Sequence, residues 1–190
     1  MAVSLILAHP DPSSLNHALA RSIVEALEEQ GVAVSVHDLY AEGFEPNLTA
    51  REIRTHVSGD PAVEQHASEL AVADGLVIVH PVWFDAPPAI LKGWVDRVVR
   101  EGTAFERSEE GGFLGLLRAR AALLVTTANA PYDPAAGDAL DHFWKGFVLA
   151  AAGVPTVERL HLTPVIASDL ATRRGWLEDA ATRAEALFAT

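Results

Sequence analysis

Two patterns of apolar and polar positions alternate along the chain. Short, mostly apolar runs are typical of strands covered on both faces of a parallel sheet. Such runs lie at residues 3–8, 32–36, 75–79, 121–126 and 154–162. The longer segments between them carry apolar residues three or four positions apart, a spacing that predicts helices with one buried face. The chain is therefore predicted to alternate between strand and helix.

The first predicted helix, residues 15–30, shows the helical pattern most clearly. Leu15, Leu19 and Ile23 share one side of it, and Gly31 ends it. Further helices are predicted at residues 61–73, 87–100, 133–152 and 168–188, with a short one after Thr49, where Thr49 and Glu52 have capping-box spacing. Five strands, each followed by a helix, predict an α/β, doubly wound parallel sheet in one domain, residues 1–190. Two strand orders are common, and the five-stranded version, 2-1-3-4-5, binds its ligand where strands 1 and 3 end.

Composition narrows the class of protein. The chain has 190 residues, 49% of them hydrophobic and 21% charged, which is typical of a globular domain. Its net charge of −12 argues against nucleic acid as a partner. It has no cysteine, which excludes disulfides, thiolate catalysis and cysteine-ligated metals. Residues 1–8 are too short and uncharged for a signal peptide, and no apolar run could span a bilayer, so we expect a cytoplasmic protein without membrane insertion.

The loop after the first strand is the first candidate for chemistry. It reads Ala8-His9-Pro10-Asp11-Pro12-Ser13-Ser14-Leu15-Asn16. A loop that enters a helix offers free N–H groups and the positive end of the helix dipole, which together bind phosphate well. Ser13, Ser14 and Asn16 would add side-chain donors, and His9 a cation or an N–H. The alternative is that Ser13 or Ser14 only caps the helix.

The loop after the third strand is the most informative stretch. Trp83 and Phe84 stand between Pro81 and the pair Pro87-Pro88. Two aromatic side chains at the ligand edge of the sheet could form a platform for a flat hydrophobic cofactor. The alternative is that they fold back into the core or lie in a subunit interface.

The helix after that loop is expected to serve packing and solubility. We expect Trp94 to pack or to lie in an interface. Lys92, Asp96 and Arg97 are expected on a solvated or dimer-facing side.

The loop after the fourth strand reads Val125-Thr126-Thr127-Ala128-Asn129-Ala130-Pro131-Tyr132. Its small residues would let the backbone approach a ring closely. The threonine hydroxyls could bond a pyrimidine-like edge, and Tyr132 could stand over the site as a donor. An ordinary turn is the alternative.

Several common signatures are absent from the sequence. Neither G-x-G-x-x-G after the first strand nor G-x-x-x-x-G-K-S/T occurs, so a Rossmann dinucleotide fingerprint and a P-loop are not expected. The eight histidines show no metal-ligand spacing, so we expect no metal site and place most of them at the surface.

Taken together, the loops resemble those of the NAD(P)H:quinone oxidoreductases of the DT-diaphorase type, including the potassium-efflux ancillary reductases of bacteria. The resemblance covers roughly residues 1–160. Its motifs, in order, are Ala8-His9, Ser14-Leu15-Asn16, Asp38-Leu39-Tyr40-Ala41 with Phe44-x-Pro46, His80-Pro81-Val82-Trp83-Phe84, residues 88–97 and Thr126-Thr127.

The resemblance implies a flavodoxin-like fold and a flavin site. The phosphate and ribityl chain would lie against His9, Ser14, Leu15 and Asn16. The isoalloxazine would lie between two segments, Pro81-Val82-Trp83-Phe84 with its backbone N–H groups near N5, and Thr126-Thr127-Ala128-Asn129 at the opposite edge. Ala128 and Asn129 stand where the family often has glycines, and Tyr132 is the candidate catalytic side chain.

The resemblance also implies an activity and partners. FMN is expected as cofactor, with FAD as the alternative, because the C-terminal tail is too short for the extra domain that larger relatives use around an adenine. NADH or NADPH would reduce the flavin, and a quinone-like acceptor would then take two electrons at the same place, in a ping-pong order. A homodimer is expected. The rivals are a flavodoxin-like electron carrier or regulatory subunit, and a flavin-free α/β binding protein.

Overall fold

The centre of the protein is a five-stranded parallel sheet. A computed structural model describes residues 1–129 and 139–189. Its strands are β1 (Ala2–Leu7), β2 (Ala33–Asp38), β3 (Gly75–Pro81), β4 (Phe105–Arg107), β5 (Phe113–Gly115), β6 (Ala121–Thr127) and β7 (Thr156–Leu162). Parallel pairing joins five of them in the order β2-β1-β3-β6-β7. The predicted order 2-1-3-4-5 is confirmed, with β6 and β7 as the last two strands of the sheet.

Helices cover both faces of this sheet. They are α1 (Leu15–Glu29), α2 (Ala50–Thr55), α3 (Pro61–Val72), α4 (Ala89–Val98), α5 (Ala139–Asp141), α6 (Leu149–Ala151) and α7 (Leu170–Phe188), with a π-helical segment (His142–Val148) between α5 and α6. One face packs against α1 and α7, the other against α3, α4 and the segment from α5 to α6. Because β3 and β6 are buried along their whole length, their sequences are almost continuously apolar. Within the described ranges, no helix has the length and apolar character needed to cross a membrane.

Local capping chemistry sets where several helices begin. Ser14 precedes α1, and its side chain accepts a hydrogen bond from the His17 N–H. Thr49 and Glu52 form the predicted capping box at α2. Asp169 caps α7 by accepting from the Thr172 N–H. The capping box predicted at Thr49 and Glu52 is confirmed, and the last helix, predicted from residue 168, begins at Leu170.

Two features of the fold were not predicted from the sequence. A short antiparallel hairpin joins β4 and β5, with Phe105 opposite Gly115. Each of its strands has three residues, too few for an alternating pattern to be recognised. The helix predicted at residues 133–152 is described only from Ala139, and its middle part is π-helical.

Arg97 corrects the prediction of a solvated side on α4. Lys92 and Asp96 do form an exposed ion pair, with 2.6 Å between Nζ and Oδ1. Arg97 is only 4% exposed, and its Nη2 lies 2.9 Å from Glu52 Oε1. Because a buried guanidinium needs a carboxylate partner, Arg97 fastens α2 to α4.

The carboxylate that pairs with Arg97 is itself strongly held in its ionised form. Burial alone would raise the pKa of Glu52, but hydrogen bonds from Ser58, Thr49 and Arg97 outweigh it and lower that pKa to about 2. The Glu52–Arg97 pair is therefore charged at neutral pH.

The histidines also depart from the prediction that most lie at the surface. Only His56 and His142 are exposed. The remaining six are buried or half-buried, and most bond to carboxylate, hydroxyl or indole groups: His9, His17, His37, His66, His80 and His161. A histidine in a sequence gives no periodic signal of burial, so these contacts had to come from the structure.

Candidate functional site

A pocket of about 470 Å³ opens at the carboxyl ends of β1, β3 and β6. This is the edge at which parallel doubly wound sheets bind their ligands. Three loops line the pocket, and Val165 completes it. The lining side chains are His9, Ser14, Leu15, Asn16, Pro81, Val82, Trp83, Phe84, Thr127, Ala128, Asn129 and Val165. Eleven of these were candidates from the sequence, and Val165 was missed because it follows β7, a strand whose end was not considered.

The N-terminus of α1 gives the pocket an anion-binding end. Within the described chain, the N–H groups of Leu15 and Asn16 have no hydrogen-bond acceptor, as expected in a first helical turn. The Asn16 Nδ2 donates to Thr127 Oγ1 over 2.9 Å, which ties this loop to the end of β6. Two unpaired N–H groups beside a helix dipole favour a phosphate or carboxylate group.

Ser13 is the candidate in this loop that faces away from the pocket. Its hydroxyl donates to Asp11 Oδ1 over 2.7 Å, and its N–H donates to the same oxygen. These bonds, the Ser13 hydroxyl bond foremost, lower the pKa of the Asp11 carboxyl. Ser13 shapes the loop, whereas Ser14 lines the pocket.

His9 presents a neutral ring to the same end of the pocket. Its Nδ1 lies 3.1 Å from Asp11 N and 3.3 Å from Asp11 O, and it accepts from the closer N–H when the ring proton is on Nε2. Partial burial lowers the pKa of His9, so the ring acts as an N–H donor rather than a cation.

The aromatic loop is a tight β-turn. Trp83 and Ala86 exchange backbone hydrogen bonds of 3.0 and 3.1 Å, and Phe84 and Asp85 between them have φ of 51° and 56°. Two consecutive positive φ values define a type I′ turn, which asparagine and glycine favour and phenylalanine does not. Trp83 is 42% exposed and Phe84 fully exposed. Neither ring folds back into the core.

The turn restricts which backbone donors can serve a ligand. Val82 N–H donates to Thr127 O over 2.7 Å, and Trp83 N–H donates to Ala86 O. Since Pro81 has no N–H, Phe84 supplies the donor of this segment that has no acceptor among the described residues.

The end of β6 separates the two predicted threonines. Successive strand residues point to opposite faces, so only Thr127 reaches the pocket. Thr126 is fully buried on the other face, with its Oγ1 2.8 Å from His161 Nδ1. Neither Ala128 nor Asn129 has a positive φ, so their backbone needs no glycine. Tyr132 lies outside the described residues.

A buried histidine supports the pocket from below. His80 Nδ1 lies 2.8 Å from Pro81 O, and its Nε2 accepts from Trp144 Nε1 over 3.1 Å. Burial lowers the pKa of His80 to about 4, so the ring is neutral and its Nδ1–H donates to the carbonyl. The π-helical segment that carries Trp144 thereby fixes the Pro81 peptide at the wall of the pocket.

A row of three polar side chains lies behind the anion-binding end. His17 Nδ1 is 2.9 Å from Ser14 Oγ, and His17 Nε2 is 2.9 Å from Asp38 Oδ2. His17 and Asp38 are 21 residues apart in the sequence, so no local motif revealed the contact. The pairing of β1 with β2 brings the two residues together.

A second histidine cluster lies behind α3 and α4. His37, Glu42 and His66 offer ligand atoms within 4.8 Å of one another, as a metal site would. However, Trp94 Nε1 donates to His66 Nδ1 over 3.0 Å, which places the His66 proton on Nε2, 2.9 Å from Glu42 Oε2. As it stands the cluster is hydrogen-bonded, and a metal would have to displace the proton from His66 Nε2 to bind there.

The sheet order and the site at its carboxyl edge together define a protein of the flavodoxin-like class. The family model described as "Flavodoxin-like fold" matches residues 1–187. The chain therefore belongs to that family.

Its relatives include proteins named as quinone reductases. Ribosyldihydronicotinamide dehydrogenase (quinone) of Pongo abelii is 36% identical over 148 residues, which are 67% of this chain and 63% of that protein. This chain thus spans less than two thirds of that relative. An uncharacterized NAD(P)H oxidoreductase of Haemophilus influenzae is 29% identical over 96% of this chain and 93% of its own length. The structure of NAD(P)H:quinone oxidoreductase from Methanothermobacter marburgensis has a TM-score of 0.84 at 27% identity, over 97% of each chain.

Proposed function

We propose that this protein is a flavin-dependent oxidoreductase that transfers two electrons from NADH or NADPH to a quinone-like acceptor. One observation carries the proposal. A single pocket has unpaired N–H groups of a helix N-terminus at one end and an exposed aromatic turn at the other. A phosphorylated, flat, heteroaromatic cofactor needs this combination. The names of the relatives agree with it.

FMN is the cofactor that we propose, with FAD as the alternative. The phosphate would accept from the N–H groups of Leu15 and Asn16, with the Nε2–H of His9 as a further donor. The ring would lie between the turn at Trp83 and the end of β6 at Thr127. There the Phe84 N–H has no acceptor among the described residues and would meet the N5 edge.

When bound, the flavin supplies hydride acceptance and two-electron transfer. The chain would contribute position and access. The rigid turn leaves one side of the pocket open, so NAD(P)H and the acceptor would bind there in turn, in ping-pong order. We retain Tyr132 as the proposed side chain over the site. At the end of β6 the Ala128 N–H already donates to Leu162 O, so the Asn129 N–H, which has no acceptor among the described residues, is the backbone donor that would stabilise negative charge on the pyrimidine edge.

We further propose a homodimer, because an apolar groove of about 340 Å³ lies on the face built by α2, α4 and the π-helical segment. Ile53 and Phe147 in this groove are each more than half exposed. Exposed apolar surface with a charged rim, here Arg100, Glu101 and Arg107, is typical of protein interfaces. A second copy of this chain would cover it. We also propose that the protein is located in the cytoplasm.

The test is an assay of the purified protein loaded with FMN. We expect saturable FMN binding and oxidation of NADH or NADPH that depends on added benzoquinone. Double-reciprocal plots at several quinone concentrations should be parallel, as ping-pong order requires. Binding of FMN without acceptor-dependent turnover would favour the electron carrier, and a colourless protein that takes up no FMN would contradict both.

A matched pair of variants locates the activity. We expect Trp83→Ala to lower kcat/KM by about tenfold or more, which corresponds to ~1.4 kcal/mol of transition-state stabilisation. Leu170→Ala removes a similarly exposed apolar side chain at the start of α7 and should leave the rate unchanged. Equal rates for both variants and the parent protein would place the reaction elsewhere.

A further inference from the structure

The row formed by Asp38, His17 and Ser14 connects the end of β2 to the anion-binding end of the pocket. His17 is half-buried in the first turn of α1, with Asp38 on one side of its ring and Ser14 on the other. Ser14 also lines the pocket, so its hydroxyl stands between the imidazole and a bound anion.

The protons of this row follow from what each atom can donate or accept. Asp38 Oδ2 accepts only, so His17 Nε2, at 2.9 Å, carries a proton. His17 Nδ1 lies 2.9 Å from Ser14 Oγ. If Nδ1 is bare, the Ser14 hydroxyl must donate its single hydrogen to it. If Nδ1 is protonated, Ser14 accepts from His17 and its own hydrogen is free for another acceptor.

The two states differ in what they offer an anion. With neutral His17, the Ser14 hydroxyl donates its hydrogen to His17 Nδ1 and accepts the cap bond from the His17 N–H. It then has no hydrogen for an anion, and its one remaining lone pair repels a phosphate. With charged His17, the Ser14 O–H points into the pocket and a positive charge lies behind it. The state with neutral His17 weakens the attraction that the N–H groups of Leu15 and Asn16 exert on an anion, whereas the state with charged His17 strengthens it.

Among the residues that the structure describes, few other charged or titratable groups lie near His17. Its ring lies edge to face with that of His9, at 6.3 Å between centroids, and His9 is held neutral by partial burial. The carboxylates of Asp11 in the same loop and of Asp38 on β2 are the acidic groups near His17. The backbone N–H groups of Tyr40 and Ala41 hold the other oxygen of Asp38 in place.

We propose that binding of a phosphate group at the N-terminus of α1 is coupled to protonation of His17, with the Ser14 hydroxyl switching from donating to His17 to donating to the phosphate. A proton from solvent adds to Nδ1, and no other bond forms or breaks. His17 is thus a positioning residue that sets the pH dependence of cofactor affinity. This inference rests on the proposed function, since it takes the phosphate to be that of FMN.

The direction of the pH effect follows from the proton count. The complex holds one more proton than the free protein and free FMN, so affinity falls as pH rises, by up to about tenfold per pH unit. The range from pH 7 to 9 is suitable, because the FMN phosphate is already dianionic there. Protonation of the phosphate itself at lower pH would change affinity in the opposite direction.

Calorimetry measures the proton count directly. FMN is titrated into the protein at pH 8 in two buffers with different ionisation enthalpies. We expect an uptake approaching one proton per FMN. Riboflavin, which has the same ring and no phosphate, should bind more weakly and take up none.

Variants assign the proton to its site. His17→Gln keeps a polar side chain but cannot titrate, and it should bind FMN with no proton uptake and a flat pH profile. His142→Gln removes an exposed histidine far from the row and should behave as the parent protein does. The riboflavin comparison needs no variant, so it still tests whether proton uptake depends on the phosphate if His17→Gln does not fold; absence of that dependence would overturn the coupling.

The outcomes separate the two proposals. FMN binding without proton uptake, or uptake that persists in His17→Gln, would overturn the coupling and leave the proposed function standing. Failure of the parent protein to bind FMN would overturn both.

Discussion

His17 and His66 have similar surroundings and opposite chemical freedom. Each has its Nε2 2.9 Å from a carboxylate, Asp38 in one case and Glu42 in the other. The Nδ1 of His17 faces the Ser14 hydroxyl, whereas the Nδ1 of His66 accepts from the indole of Trp94. A hydroxyl can donate or accept, but an indole N–H can only donate. His17 can therefore gain a second proton in place, whereas His66 would first have to lose its hydrogen bond from the indole.

The difference matches where the two rings lie. His17 is at the carboxyl edge of the sheet, beside the pocket, where a change of charge can affect a ligand. His66 is a buried residue of α3 that contacts Trp94 of α4, and burial lowers its pKa to about 4. The partner of the second ring nitrogen, rather than the nearby carboxylate, therefore decides whether each of these histidines serves as a proton site or as a fixed packing element.

The largest expected effect is on acid stability. The pKa of His66 falls from 6.5 in the unfolded chain to about 4 in the folded one, so between these pH values the unfolded chain binds more protons. The stabilisation is complete above pH 6.5 and is lost as pH falls to 4, by about 3 kcal/mol. Urea unfolding at several pH values should show this loss.

His66→Gln should reduce that loss of stability in acid, because glutamine does not titrate. Ser68→Ala, on the exposed side of the same helix, is the control and should retain the full loss. If His66→Gln loses the same stability in acid, His66 is not the residue whose lowered pKa causes that loss.

Removing the indole donor tests the lock directly. Trp94→Phe leaves an aromatic ring but no N–H for His66, and we expect it to destabilise the protein by about 2 kcal/mol. The pKa of His66, followed by NMR, should rise because Nδ1 has become available for a proton. Trp176→Phe, at a half-buried indole of α7, should leave that pKa unchanged.

The corresponding change beside His17 should cost less. Ser14→Ala removes the α1 cap and the His17 partner together, and we expect a loss of about 1 kcal/mol. The Ser13 hydroxyl bonds to the exposed Asp11 side chain, so Ser13→Ala should lower the free energy of unfolding by less than about 0.5 kcal/mol. If Ser14→Ala lowered the free energy of unfolding as much as Trp94→Phe does, the contacts of His17 would be as structural as those of His66.

Zinc should have no effect at the His66 cluster. A metal present at a hundred times its Kd would stabilise the fold by about 2.7 kcal/mol, which a thermal melt detects easily. Because the indole bond keeps a proton on His66 Nε2, we expect no change in Tm with Zn²⁺. A rise in Tm that disappears in His66→Gln would refute the assigned tautomer.

Much of the fold could be predicted from the sequence because strands and helices bury periodic faces. The apolar runs of β3 and β6 and the Thr49–Glu52 capping box are local signals of this kind. The hairpin of β4 and β5 has no such signal, since three-residue strands are too short for a period. The burial of Arg97 depends on Glu52, which lies 45 residues away.

The candidate site could be predicted at the level of loops but less well at the level of atoms. Chain topology brings the loop ends together, so 11 of the 12 lining residues were candidates. Strand alternation could have separated Thr126 from Thr127 in advance. The contacts of His17 with Asp38, and of His66 with Trp94, join residues 21 and 28 apart and follow only from packing.

The most direct test of the central claim is a crystal structure of the protein with FMN. We expect the phosphate within hydrogen-bond distance of the Leu15 and Asn16 N–H groups, and the ring between Trp83 and Thr127. FMN bound in the apolar groove beside Phe147, or the pocket closed by Trp83 itself, would contradict the account.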